Sequence, residues 1–143
     1  MRLFFTILSI AYIAGIFLFA DSSVVSTLSS FNPYSLLHIP LYGILTFLLI
    51  FSFVPLKFNP TNPSNPINPI TQLPNYLITR FLVVGFIALI VAIADEIHQA
   101  YVPGRDASIT DVLLDLAGIT LVLFIVLYFY GKQKIIKSDP LIP

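Results

Sequence analysis

The sequence predicts an all-α membrane protein, a bundle of four transmembrane helices with both termini cytoplasmic. Three observations predict it. First, 57% of the residues are hydrophobic and 10% are charged, with a mean hydropathy of +0.94, whereas a soluble domain carries about 25% charged residues. Second, four apolar stretches, at about 3–20, 35–56, 78–101 and 109–130, each approach the ~20 residues that cross a bilayer. Third, the segments joining them sort the basic residues. Arg2, Lys57, Arg80, Lys132, Lys134 and Lys137 fall on one side, and only Arg105 falls on the other. Lys and Arg gather on the cytoplasmic side, so the loops holding Asp21 and Arg105 are expected to face outward.

One small bundle uses the whole length, so residues 1–143 read as a single domain. The chain has no cysteine, which excludes disulfides, thiol catalysis and thiolate metal sites. Zero net charge and the lack of a basic run argue against a nucleic-acid partner.

Leu3 to Ala20 is an unbroken uncharged run of 18 residues. It exceeds the ~7–15 residues of a signal-peptide core, and Leu18 is bulky where a cleavage site prefers a small residue. A retained first helix is expected, followed by a short polar loop over Ser22 to Pro33. Tyr34 to Leu56 is the second span. His38 and Tyr42 are four apart and share a helix face, and Pro40 between them is early enough for the first turn to tolerate it. Lys57 to Asn75 carries five prolines from Pro60 to Pro74, several as Asn-Pro pairs. It reads as an extended linker without helix.

Phe81 to Ala94 is too short to cross alone, since its 14 apolar residues make about 21 Å of helix against a core of about 30 Å. The third helix must therefore run on through Asp95, Glu96, His98 and Gln99, which places them at or just inside the interface. Pro103-Gly104 ends it. Ser108-x-x-Asp111 has the form of a capping box, with the Ser108 hydroxyl accepting the Asp111 amide. Val112 to Tyr130 is the fourth span. Asp115 lies near its start, and Gly118 permits close helix approach. Tyr34 and Tyr101 at one interface, and Tyr76, Tyr128 and Tyr130 at the other, form an aromatic belt.

The chain is therefore organised around Ala94 to Gly118. Ionisable residues in or beside a bilayer are costly, so a dense cluster is a functional site by default. Asp95, Glu96, Asp106, Asp111 and Asp115 face one permanent cation, Arg105. Three readings stay open. In the first, Arg105 pairs with Glu96 or Asp111 and latches the helices. In the second, His98 and a carboxylate such as Asp95, with or without His38, hold a divalent metal such as zinc or manganese. In the third, His98 with Glu96 or Asp95 acts as general acid or base on a substrate whose phosphate Arg105 binds.

Asp95-Glu96-x-His98-Gln99, then Pro103-Gly104-Arg105, then Ser108-x-x-Asp111 and Gly118, resembles the signature of the VanZ-like family, and His38-x-x-x-Tyr42 fits its second-helix pattern. The match is specific over about 25 residues and consistent with the four-span layout. One departure is Asp115, where the family usually has asparagine; it adds a charge to the cluster. The resemblance implies a small polytopic protein of the cell membrane whose founding member is linked to glycopeptide resistance, specifically to teicoplanin. It implies no settled biochemical activity. The expected roles are accordingly two. One is binding or modulation of an envelope lipid, a lipid-linked precursor or a glycopeptide antibiotic. The other is a hydrolase or transferase acting on a lipid-linked substrate. Asp95, Glu96 and His98 are the catalytic candidates, with Asp95 and His98 the metal candidates. His38, Tyr42, Gln99, Arg105, Asp111 and Asp115 are the ligand-binding candidates.

Overall fold

The computed structural model describes residues 1–20, 34–54, 69–103, 105 and 107–138. The Ser22–Pro33 loop, the first part of the Asn/Pro-rich stretch, Gly104 and Asp106 lie outside the described residues, as do the side chains of Tyr34, Tyr130 and Lys132, Lys134 and Lys137.

The described chain is all helical. It comprises α1 (Arg2–Phe19), a 3₁₀ turn (Tyr34–Leu37), α2 (His38–Phe53), α3 (Pro69–Gln99) and α4 (Ile109–Ser138). Three segments are long and apolar enough to cross a membrane: Arg2–Phe19, Tyr76–Gln99 and Ile109–Phe129. The expected second span is the shorter exception at His38–Phe53. It stops before the expected Leu56 because Val54 is extended, with ψ 125°. Pro55 follows, and a residue before proline is pushed out of the α region. Pro40 is the third residue of α2, where its missing N–H costs no helical bond.

The linker expectation is corrected at its end. α3 begins at Pro69, so 69–75 are helical and not part of an extended connection. Proline suits the first helical position because its φ is preset and its absent N–H is an orphan there anyway. α3 also runs to Gln99, carrying Asp95, Glu96 and His98 inside the helix.

α2 is the hub, packing on α4, α1 and α3. The core unites Tyr42, Leu45, Leu49 and Ile50 of α2, and Val54 just beyond it, with Phe81, Val84, Ala88 and Ala92 of α3 and Ile119 of α4. The α3 positions step by three and four, which is one helical stripe. The same stripe continues to Asp95 and Gln99, both buried. The apolar seam thus turns polar at one end of the bundle.

Candidate functional site

Two glycines bring α2 and α4 together. A Cβ on Gly118 would collide with the backbone carbonyl of Ile39, and one on Gly43 would press the Val122 side chain at 3.3 Å. Residue 118 is one turn beyond Asp115, and Ile39 is next to His38. The approach that only a bare backbone permits therefore sets His38 against Asp115.

His38 is the pivot. Its Nδ1 lies 2.9 Å from Asp115 Oδ1, and its Nε2 lies 4.0 Å from Asp111 Oδ2. Asp111 and Asp115, one turn apart, bracket the imidazole. One turn into α2, the Tyr42 hydroxyl donates to Asp95 Oδ2 at 3.2 Å. Tyr42 is fully buried, so its ring fills the core while its hydroxyl serves the carboxylate.

Arg105 lies beyond α3. Its Nη2 donates to Gln99 Oε1 at 2.7 Å, and its Nη1 reaches the Ala20 carbonyl at 3.4 Å. The guanidinium thereby ties the end of α1 to the end of α3, where a helix C-terminus favours positive charge. Gln99 and Asp95 are both buried one turn apart on α3, so the Arg105–Gln99 contact stands beside the Tyr42–Asp95 contact.

Ser108 precedes α4 as expected, but the capping bonds differ. The Asp111 amide takes the Ser108 carbonyl oxygen at 3.1 Å, and the Ser108 amide donates to Glu96 Oε2 at 2.7 Å. In a capping box the acidic residue reaches the cap amide from its own helix. Here Glu96 does so from α3, which leaves Asp111 to face His38.

Of the sequence candidates, His38, Tyr42, Asp95, Glu96, Gln99, Arg105, Asp111 and Asp115 gather at this one end. His98 points elsewhere. Its ring meets Phe17 of α1 edge-on, with centroids 5.4 Å apart. Three residues along a helix leave a ~60° offset about the axis, enough to turn His98 toward α1 while Asp95 faces the core. The metal-ligand atoms that converge, within 4.8 Å of one another, belong to His38, Glu96 and Asp115, and not to the expected pair Asp95 and His98. Asp95 Oδ1, Glu96 Oε1, His98 Nδ1, Asp111 Oδ1 and Asp115 Oδ2 are buried with no hydrogen-bond partner among the described residues.

A cavity of about 410 Å³ opens beside the cluster. Ala11, Gly15, Ile16 and Phe19 of α1, with Leu41 of α2, give it an apolar wall. His38, Asp95, Gln99 and Arg105 form its polar end. Sequence reasoning missed the share of α1. Ser9, Tyr12 and Ile16 are spaced three and four apart, and that was the available signal. Ser9 meets Ser52 of α2 at 3.3 Å, and the Tyr12 hydroxyl donates to the Leu41 carbonyl at 3.0 Å.

Among known families, VanZ/LLP1 matches residues 4–130. The chain belongs to the VanZ/LLP1 family. The VanZ/LLP1 match takes in α1, where no motif was legible, as well as the polar cluster. It therefore spans both walls of the cavity. No curated protein and no solved structure matches the chain.

Proposed function

We propose that this VanZ/LLP1 protein spans the cell membrane four times and binds an amphiphile with an anionic head at its outer face. The observation that carries the reading is the cavity, whose apolar wall from α1 runs to a polar end of His38, Asp95, Gln99 and Arg105. An acyl or isoprenoid chain suits the wall, and a phosphate or carboxylate suits the guanidinium, which binds such groups in a fixed fork. The candidate ligands are an envelope lipid, a lipid-linked precursor or a lipoglycopeptide antibiotic such as teicoplanin.

Two arguments support the topology. The 3₁₀ turn and α2 together make 20 residues, about 32 Å at ~2.0 and ~1.5 Å per residue, which is the thickness of the hydrocarbon core. Arg2 lies at the end of α1 remote from Arg105, and Arg80 near the remote end of the apolar segment Tyr76–Gln99 of α3, as cytoplasmic termini require. Because the chain lacks cysteine, single cysteines report topology cleanly. An impermeant maleimide should label Ala107→Cys in intact cells and Lys132→Cys only after lysis. The reverse pattern overturns the orientation.

The binding test is native mass spectrometry after extraction from phosphatidylglycerol-containing nanodiscs. The wild type should retain a phospholipid, while Gly15→Leu, which adds bulk at the cavity's α1 wall, and Arg105→Gln should lose it. Retention in both variants contradicts the reading. A second reading, a membrane hydrolase or transferase acting on the same amphiphile, is favoured by the convergence of His38, Glu96 and Asp115 next to the cavity.

A further inference from the structure

We infer that His38, Glu96 and Asp115 form a binding site for a divalent cation of the zinc or manganese class. The three residues come from three different helices, yet their ligand atoms lie within 4.8 Å of one another. All three are buried, at 4%, 5% and 0% exposure. Two of their oxygens, Glu96 Oε1 and Asp115 Oδ2, have no hydrogen-bond partner among the described residues. Buried carboxylate oxygens are normally paired, and each orphan is costly.

Geometry and charge agree on a cation. Nitrogen and oxygen ligands bound at about 2.0–2.2 Å sit roughly 3 Å apart at adjacent corners of an octahedral ion. His38 Nδ1 and Asp115 Oδ1 are 2.9 Å apart. Asp95, Glu96, Asp111 and Asp115 share this end of the bundle with His38 and Arg105. With the imidazole neutral, as a metal ligand must be, the guanidinium offsets one of these four negative charges and a divalent ion would offset two more. Imidazole with carboxylates and no thiolate suits zinc or manganese better than softer metals.

The surroundings are those of a metal site. Glu96 Oε2 is fixed by the Ser108 amide, which orients the carboxylate and leaves Oε1 for the ion. Asp111 stands 4.0 Å behind His38 Nε2 as an outer carboxylate. Three protein ligands leave coordination positions unfilled, as catalytic metal sites do, and His38 also lines the cavity through which a ligand would arrive. The inference does not depend on what occupies the cavity. A protein that takes up the ion and no amphiphile satisfies it.

The test uses the full-length, tag-free protein in detergent, stripped with a chelator and equilibrated with Zn²⁺ or Mn²⁺ alone. After gel filtration, metal analysis should find one ion per chain in the wild type and in Ile10→Ala, an exposed position outside the site. Asp115→Asn and His38→Gln should lose it while eluting as folded monodisperse protein. For the case where those variants do not fold, pulsed electron paramagnetic resonance of the Mn²⁺-loaded wild type should show nitrogen coupling from a bound imidazole. The inference is overturned by a wild type without stoichiometric metal, by bound Mn²⁺ with no nitrogen coupling, or by folded Asp115→Asn and His38→Gln that keep the metal.

Discussion

α1 and α2 are both apolar helices of similar length, and they occupy opposite situations. Only Ser9 is buried in α1, whereas eight of the sixteen residues of α2 are. In α1, Leu3, Phe4, Ile7, Ile10 and Leu18 all point away from the protein. The contrast teaches that hydropathy places a helix in the bilayer and does not place it in the bundle, because lipid is as apolar as a protein core. What distinguishes α2 is that most of its sparse polar and small residues are buried, whereas in α1 only Ser9 is. His38, Tyr42, Gly43 and Thr46 are all buried, and each makes a contact that an apolar side chain cannot replace.

The sharpest way to break the contrast is at the crossing of α2 and α4. Gly118→Leu should give the largest effect, because the clash is with the Ile39 backbone, which cannot move aside alone. Overpacking costs typically about 1–3 kcal/mol and sometimes more. Abundance in the membrane fraction and monodispersity in detergent should collapse. Next comes His38→Ala, which strands Asp115 without its partner and should cost about 3 kcal/mol, as breaking a buried pair does. The double variant His38→Ala/Asp115→Ala should melt above the single one, and a further fall on adding the second change would show that the two residues do not act as a pair.

The α1 side of the comparison predicts smaller effects. Ser9 and Ser52 are the point where α1 docks, with Phe5 and Phe51 stacked beside them at 4.8 Å. In this cysteine-free chain, Ser9→Cys/Ser52→Cys should cross-link under mild oxidation, shifting mobility in a non-reducing gel. Smallest of all is Ile10→Ala on the lipid face, which should change the thermal midpoint within about ±0.5 kcal/mol of stability. A large loss there would mean that α1 has a protein partner on that side.

Much of the architecture was legible because the physics is local. Spans follow from apolar length, the continuation of α3 through Asp95 to Gln99 follows from the reach of 14 apolar residues, and the role of Gly118 follows from its lack of a side chain. Two errors have local causes as well. Val54 left the helix because Pro55 follows it, and α3 began early because Pro69 is a good first residue. The site was legible as a set of residues and illegible as a set of pairs. Nothing in the spacing says that His38 meets Asp115, since 77 positions separate them and only the α2–α4 crossing joins them. His98 looked like the natural partner of Asp95 by spacing, and the offset around the helix turned it to Phe17 instead. The Glu96 cap on Ser108 was hidden for the same reason, because it joins two helices through a turn.

We propose that the buried carboxylates, although each contacts another element, are kept for a ligand more than for stability. The most direct test is the thermal midpoint of Asp95→Asn in ligand-free detergent solution. Asparagine keeps the size and still accepts from Tyr42, while one buried negative charge is removed. A site kept for binding should melt at or above the wild type, because the repulsion among Asp95, Glu96, Asp111 and Asp115 is relieved. A latch that depends on the Asp95 charge should melt several degrees lower, and that result would overturn a ligand-binding role for the cluster.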